Sequence, residues 1–198
     1  MQDIKKYSQY EEQSHILGYF GTNKGRFLDI GAYDGLTFSN TRALLDIGWT
    51  GTLVEPDSYA FSGLIKNCGK LDGVELVNAA IASNPGIVRF FSSGGDALST
   101  CDKSHCEKWK VANFTSVNVL AITPYQLLKT FPGPYDFVNL DVEGTNWEIL
   151  QLLPLKEMET KLICVEYDNQ LSQMKNLLSK LGFSNTYCVN GTNLIMGV

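Results

Sequence analysis

The chain has 198 residues, of which 44% are hydrophobic and 19% are charged, and its formal net charge is −5. These values are typical of one globular domain with its own core, which we predict over residues 1–198. They argue against broad binding to nucleic acid, which needs clustered Lys and Arg, and no apolar stretch is long enough to predict a membrane helix or a secretory signal.

Short apolar runs alternate with helical patterns along the chain, which predicts an α/β protein with a largely parallel sheet. Residues 8–20 are predicted to form a leading helix, with core contacts from Tyr10, Ile16, Leu17 and Phe20. The elements predicted after it are strands at 26–30, 52–55, 74–80 and 86–91 and helices at 37–47 and 58–68. Residues 92–115 contain a long irregular stretch, and we predict a substrate-side insertion there because such loops are usually functional.

The second half continues the same alternation. The predicted strands cover 116–121, 136–141 and 161–167, and the predicted helices cover 123–129, the residues after Gly144, and 169–181. Two further β runs, 183–189 and 193–198, are joined through Asn190-Gly191, a dipeptide typical of tight hairpin turns. The sequence therefore predicts a sheet that ends in an antiparallel hairpin.

Five cysteines occur at irregular spacings, and this odd number argues against a disulfide framework. We interpret them as reduced thiols, which predicts a cytoplasmic location. Cys101, His105 and Cys106 resemble part of a zinc site, but no fourth ligand accompanies them, so no metal ligand is predicted there.

A glycine turn follows the first predicted strand in the motif FLDIGAYDG at 27–35. Gly31 and Gly35 allow the backbone to turn sharply and let a ligand approach the main chain. The free N–H groups at the start of the next helix can bind an anionic group such as a carboxylate. The spacing differs from the G-x-G-x-x-G of dinucleotide-binding proteins, which argues against a nicotinamide-dependent enzyme. An ordinary strand-to-helix turn is the alternative.

Glu55 lies at the end of the second predicted strand, in the motif VEPD at 54–57. An acid at this place can accept hydrogen bonds from both ribose hydroxyls of an adenosine, and we predict that role for Glu55. The alternative is a surface glutamate beside a helix-breaking proline. Asp57 is explained equally well as the cap of the next helix.

Three further acids follow two later strands. Asp141 and Glu143 come after the apolar strand in DFVNLDVEG at 136–144, and Glu166 ends the next strand. Because the carboxyl ends of parallel strands meet at one edge of a sheet, we expect these acids to converge and to act as a general base or to bind Mg²⁺. Helix capping or ordinary loop acids are the alternatives.

At these residues the sequence resembles the FkbM family of S-adenosylmethionine-dependent methyltransferases. The resemblance is carried by an ordered set of motifs: FLDIGAYDG at 27–35, SNT at 39–41, GWTG at 48–51, VEPD at 54–57, NAAIA at 78–82 and DFVNLDVEG at 136–144. The leading Ser8-Gln9 with Glu12 resembles the start of a related subgroup.

The resemblance implies a class I methyltransferase fold, a Rossmann-like three-layer sandwich with strand order 3-2-1-4-5-7-6. It implies S-adenosylmethionine as the cofactor and O-methylation of a hydroxyl on a sugar or small natural product. The catalytic residues predicted from the strand ends are Asp141, Glu143 and Glu166. The cofactor-binding residues that the resemblance suggests are Asp29, Gly31, Ala32, Tyr33, Gly35, Asn40, Thr41, Glu55, Pro56, Ala80 and Asp141.

Two rival functions follow from the same features. One is a nicotinamide-dependent oxidoreductase, and the other is a non-catalytic module that retains the cofactor pocket. The chain lacks the Asn/Asp/Ser-Pro-Pro-aromatic motif and the Pro-Cys pair expected of methyltransferases that act on nucleic-acid bases. We therefore expect a small-molecule or carbohydrate acceptor, with neither a nucleic-acid nor a membrane partner, and leave the oligomeric state open.

Overall fold

The computed structural model of the chain describes residues 4–94, 99–102 and 114–198. The strands of these residues are β1 (Arg26–Ile30), β2 (Thr50–Val54), β3 (Val74–Val77), β4 (Ala80–Ile81), β5 (Gly86–Ser92), β6 (Thr115–Ile122), β7 (Phe137–Leu140), β8 (Leu162–Glu166), β9 (Asn185–Val189) and β10 (Asn193–Gly197). The helices are α1 (Glu12–Phe20), α2 (Arg42–Asp46), α3 (Ser58–Cys68), α4 (Pro124–Thr130), α5 (Asn146–Leu152) and α6 (Leu171–Lys180).

Seven strands form the main sheet, in the spatial order β3-β2-β1-β7-β8-β10-β9. The pairs from β3 to β8 are parallel, and β10 runs antiparallel to both β8 and β9. Numbered within this sheet, the strands follow the order 3-2-1-4-5-7-6. This confirms the predicted fold class and its antiparallel C-terminal hairpin.

Helices cover both faces of the main sheet. On one face the buried side chains come from α1, α2 and α3, and they include Ile16, Leu44 and Leu64. On the other face they come from α4, α5 and α6. This is the three-layer arrangement that a parallel sheet needs, because helical crossovers bury both of its faces.

A second, smaller sheet has the order β4-β6-β5, with β4 parallel and β5 antiparallel to β6. The sequence did not predict this sheet, and the single strand predicted over 74–80 is wrong. The Asn78 side chain donates hydrogen bonds to the carbonyl oxygens of Glu55 (2.8 Å) and Pro56 (3.2 Å). These bonds turn the chain out of the main sheet, so that β4 pairs with β6 instead.

Two predicted helices are shorter than expected. The leading helix begins at Glu12 rather than residue 8, because the Glu12 carboxylate accepts from the Tyr10 N–H at 2.9 Å and holds the preceding residues outside the helix. Tyr10 is 43% exposed, so its predicted core contact is wrong. The second helix begins at Arg42, after a turn in which the Ser39 hydroxyl accepts from the Arg42 N–H at 3.0 Å.

The predicted insertion at 92–115 falls partly outside the described residues. Where it is described, Thr100 forms an antiparallel bridge with Phe91 in β5, with backbone hydrogen bonds of 2.8 and 3.0 Å. Of the helices in the described part of the chain, none combines the length and apolarity needed to cross a bilayer.

Candidate active site

A cleft lies at the carboxyl edge of the main sheet. The predicted site residues that line it are Asp29, Gly31, Ala32, Tyr33, Asn40, Glu55, Pro56, Ala80, Asp141, Glu143 and Glu166. Gly35 and Thr41 are not on its wall. Gly35 faces α3, where an added β-carbon would lie 2.7 Å from both Cys68 Sγ and Leu64 Cδ1.

The turn after β1 is held against two neighbouring strands. The N–H groups of Gly31 and Ala32 donate to the Val54 carbonyl at the end of β2, at 2.9 and 3.1 Å. Gly31 has φ of +89°, and an added β-carbon would lie 1.7 Å from the Asp141 carbonyl oxygen after β7. Glycine meets both the need for a positive φ and the need for a residue without a β-carbon. Gly31 therefore allows the ends of β1, β2 and β7 to lie close together beside the cleft.

Glu55 is 6% exposed and reaches into the cleft from the end of β2. Its two carboxylate oxygens accept from the backbone N–H groups of Tyr33 (2.9 Å) and Asp57 (2.7 Å). Burial raises the Glu55 pKa to about 7, although these two donors oppose the shift. Each oxygen retains a lone pair, so the side chain can still accept from two hydroxyls.

A buried polar network lies beside the turn. The Asp29 carboxylate accepts from the Thr41 hydroxyl at 2.6 Å and from the Asn139 amide at 2.8 Å. The Asn40 amide in turn donates to Asn139 Oδ1 at 3.0 Å. Burial raises the Asp29 pKa, and its two donors oppose the shift. Sequence reasoning missed Asn139, although an asparagine inside an otherwise apolar strand was an available signal.

The structure brings the three predicted catalytic acids together. Carboxylate oxygens of Asp141, Glu143 and Glu166 all lie within 4.8 Å of one another. The Asp141 and Glu166 side chains are hydrogen-bonded, and burial, followed by the charges of neighbouring acids, raises their pKa values to about 7 and about 9. A carboxylate pair this close shares a proton, and the raised pKa values belong to the pair.

The Glu166 side chain is fixed from a second side by Asn146. The Asn146 amide donates to Glu166 Oε2 at 2.9 Å, and Asn146 Oδ1 accepts from the Val142 N–H at 2.9 Å. Because an N–H can only donate, this second bond determines which way the fully buried amide points. Glu166 therefore has one oxygen for Asn146 and one for Asp141.

The segment before α1, defined here as the strap (residues 4–11), contributes one residue to the cleft wall. Ser8 forms a bridge with Phe38, and Gln9 lines the cleft. Fully buried Glu12 anchors the strap by accepting from the side-chain amides of Asn190 (2.6 Å) and Asn193 (3.0 Å) in the C-terminal hairpin. These contacts give a structural reason for the leading motif of Ser8-Gln9 with Glu12.

Asn193 is a cleft residue that the sequence did not indicate. It lies opposite Glu166 in the β8–β10 register and is 6% exposed. Its amide donates to Glu12, and its Oδ1 is buried without a donor. A buried acceptor of this kind is expected to receive a hydrogen bond from a ligand or water.

The second sheet and the described part of the insertion supply another wall, to which Phe90, Ser99 and Cys101 contribute. The Ser99 hydroxyl donates to Asp57 Oδ2 at 2.9 Å, and Thr100 donates to the Glu143 carbonyl. Burial raises the Cys101 pKa to about 11, so its thiol is neutral. His105 and Cys106, weighed above as zinc ligands, lie outside the described residues.

Comparisons with known proteins agree on the class of fold. Residues 29–185 match the family described as the Methyltransferase FkbM domain. A precorrin-6y C5,15-methyltransferase from Geobacter metallireducens GS-15 superposes with a TM-score of 0.53 at 14% identity, over 98% of this chain and 90% of that chain. The ribosomal protein L11 methylase of Lactobacillus delbrueckii subsp. bulgaricus gives 0.51 at 10% identity, over 94% and 76%.

The METTL16 MTase domain gives a TM-score of 0.50 at 15% identity, and the match spans 93% of this chain and 63% of that one. No curated protein sequence matches the chain. At these identities the structural likeness shows the fold alone, which is that of class I methyltransferases.

Proposed function

The chain belongs to the FkbM family of methyltransferases, and from this membership we propose that it methylates a hydroxyl group on a sugar or small natural-product acceptor. The family implies S-adenosylmethionine as the methyl donor, and its methyltransferase chemistry argues against the nicotinamide-dependent alternative. The observation that carries the proposal is the hydrogen-bonded pair of Asp141 and Glu166 in the cleft.

The hydrogen-bond acceptors and the acids of the cleft suit S-adenosylmethionine. Glu55 offers two acceptor oxygens for the ribose hydroxyls. The acids on the wall are Asp29, Glu55, Asp57, Asp141, Glu143 and Glu166, and no Lys or Arg is among the described residues that line it. Such an electronegative cleft favours a ligand that carries positive charge. When bound, S-adenosylmethionine supplies an electrophilic methyl group on a positively charged sulfur.

The acid pair gives the chain a means of activating a hydroxyl. A hydroxyl is a poor nucleophile until its proton is removed, and a general base with a pKa near the working pH is best suited to remove it. Asp141 has a raised pKa of about 7 and is the member of the pair that is ionised first. Glu166 keeps its proton and donates it to Asp141 as a hydrogen bond, which leaves the second Asp141 oxygen for the acceptor.

The acceptor side of the cleft favours a polyhydroxylated molecule. Asn193 Oδ1 lies beyond Glu166, on the side of the acid pair that is remote from the Gly31 turn. A second hydroxyl of the acceptor would supply the donor that this buried oxygen lacks. We propose neither a nucleic-acid nor a membrane partner, and we propose a single cytoplasmic domain whose described cysteines are free thiols.

A divalent cation is a second route to the same chemistry. Three carboxylate oxygens within 4.8 Å of one another are the kind of ligand that Mg²⁺ prefers, and a cation would displace the shared proton. Treatment with EDTA distinguishes the routes. Activity that is lost and then restored by added Mg²⁺ supports the metal route, whereas unchanged activity supports direct base catalysis.

The proposal is tested by measuring S-adenosylhomocysteine release with a panel of sugars, glycosides and hydroxylated natural products. We expect turnover with hydroxyl acceptors and a new methyl ether in the product. Methylation confined to amine or carbon acceptors would contradict O-methylation. Tight binding of S-adenosylhomocysteine with no turnover on any acceptor would instead favour the non-catalytic module.

A further inference from the structure

The amide oxygen of Asn40 is a buried acceptor on the cleft wall that has no donor. Asn40 is 5% exposed, lines the cleft and retains an unpartnered Oδ1. Leaving such an oxygen unpaired costs free energy, so native proteins rarely bury one unless a ligand or water completes it.

The neighbours of Asn40 determine that an acceptor, and not a donor, faces the cleft. The Asp29 carboxylate requires donors, so Asn139 must present its amide nitrogen to it. Asn139 then has only its oxygen left for Asn40, and Asn40 must use its own nitrogen for that bond. The remaining Asn40 atom is Oδ1. The orientation of the amide is thus imposed by a charge two hydrogen bonds away.

The position of Asn40 indicates which part of the cofactor it meets. Its amide nitrogen lies over β7 and β8, 3.0 Å from Asn139 Oδ1 and 3.7 Å from Cys164 Sγ. Glu55 follows β2, on the opposite side of the turn at Gly31. If the ribose is at Glu55, the amino-acid portion of S-adenosylmethionine must cross the turn toward Asn40. The donor-rich group of that portion is an ammonium, which has three N–H donors and no acceptor.

We propose that Asn40 Oδ1 accepts a hydrogen bond from the α-ammonium group of the cofactor, and that Asp29 and Asn139 are positioning residues that act through Asn40. The inference rests on the proposed function, because it assumes that S-adenosylmethionine occupies the cleft. It gives Asp29 a positioning role, because its carboxylate accepts from the Asn139 amide nitrogen and so turns the Asn139 oxygen toward Asn40.

The test compares two ligands that differ in the amino-acid portion. Calorimetry should be carried out with S-adenosylhomocysteine, which has the ammonium, and with 5′-methylthioadenosine, which lacks it. We expect Asn40→Leu to weaken the binding of S-adenosylhomocysteine by about ten- to a hundredfold. The affinity for 5′-methylthioadenosine should change by less than about threefold. If Asn40→Leu does not fold, Asn40→Ser can be used instead, because it also removes the amide oxygen but keeps a polar side chain.

The positioning role is tested with Asn139→Leu, which keeps Asn40 but removes the Asn139 oxygen to which the Asn40 amide donates. We expect a smaller loss of affinity for S-adenosylhomocysteine, about three- to tenfold, and no change in the affinity for 5′-methylthioadenosine. Thr160→Val is the matched control, since it removes another buried oxygen without a partner that lies outside the cleft.

Equal losses for both ligands, or no loss for either, would overturn the assignment. A wild-type chain that binds neither ligand would contradict the proposed function itself. The two failures are therefore distinguishable.

Discussion

Gly31 and Asp141 are packed so closely that a β-carbon on Gly31 would lie 1.7 Å from the Asp141 carbonyl oxygen. The sequence motif suggested that this glycine makes room for a cofactor. The structure gives a further reason that concerns the protein alone, because the glycine turn and the acid-bearing loop need the same space.

Gly31→Ala should therefore destabilise the apo protein. Positive φ and the clash together should lower the free energy of unfolding by about 3–5 kcal/mol, measured by urea denaturation. Gly182→Ala is the matched control, because Gly182 has φ of +102° but an added β-carbon would meet nothing within 4 Å. It should cost about 1 kcal/mol. Equal losses in the two variants would show that backbone strain alone explains the requirement for glycine.

Glu55→Ala should weaken the binding of S-adenosylhomocysteine. Losing charged hydrogen bonds to two ribose hydroxyls should cost about 1.5–3 kcal/mol, or about ten- to a hundredfold in affinity by calorimetry. Exposed Glu157→Ala is the control and should leave the affinity unchanged. Melting temperatures of both variants must be recorded, because Glu55 also accepts two backbone N–H groups. Unchanged binding in a folded Glu55→Ala protein would exclude the ribose role.

Asp141→Asn should lower turnover by on the order of 100-fold or more, with a much smaller change in cofactor affinity, because it removes the proton acceptor and keeps the shape. In the wild-type protein, turnover should rise as the pH passes through about 7, where Asp141 loses its proton. The measurement is the pH profile of S-adenosylhomocysteine release. Full turnover in both Asp141→Asn and Glu143→Gln would show that the acidic cluster is structural.

The stability of the apo protein should fall as the pH rises from about 6 to about 9. The pKa values of Glu55, Asp141 and Glu166 are raised in the folded state to about 7, about 7 and about 9. In the unfolded chain such groups titrate near pH 4, so the folded state binds more protons across this window and loses that stabilisation as they dissociate. Urea midpoints at several pH values measure the slope.

Glu166→Gln should flatten the upper part of that slope, because the amide needs no proton to donate toward Asp141. A slope identical to that of the wild-type protein would mean that the two acids do not share a proton.

Glu12→Ala should destabilise the protein by about 3 kcal/mol, because three donors lose a buried carboxylate at once. These donors are the side chains of Asn190 and Asn193 and the Tyr10 N–H. Glu11→Ala is the control, since the neighbouring carboxylate is exposed and bonded to Lys6 at the surface, and it should cause no measurable change in the urea midpoint. A loss confined to Glu11→Ala would contradict the anchoring role of Glu12.

Much of the main sheet could be predicted because most of its strands are short runs rich in apolar or β-branched residues next to a turn residue. The end of β3 at Val77 could not be predicted, because it depends on hydrogen bonds from Asn78 to carbonyl groups more than twenty residues earlier in the chain. The second sheet was missed for a related reason. Pairing of β4 with β6 joins segments about forty residues apart, and no local pattern encodes such a contact.

The candidate site could be predicted where chemistry coincides with a strand end, as it does for Glu55, Asp141 and Glu166. Asn139 and Asn193 could not be assigned in the same way. Their importance comes from the partner that each amide meets, Asp29 for one and Glu12 for the other. A polar residue inside an apolar strand can be noticed in the sequence, but its role can be assigned only when its hydrogen-bond partners are known.

The anchor at Glu12 also sets a time at which the cleft can be completed. Its partners Asn190 and Asn193 follow it by 178 and 181 residues. At about 5–20 residues per second, a ribosome needs on the order of 10–40 s to synthesise that interval. Throughout this time the strap has no hairpin to hold it, and the Glu12 carboxylate has neither of its two amide donors. The C-terminal hairpin thus secures a segment that is synthesised well before it, and the part of the cleft wall at Gln9 is held in place only after translation of the hairpin.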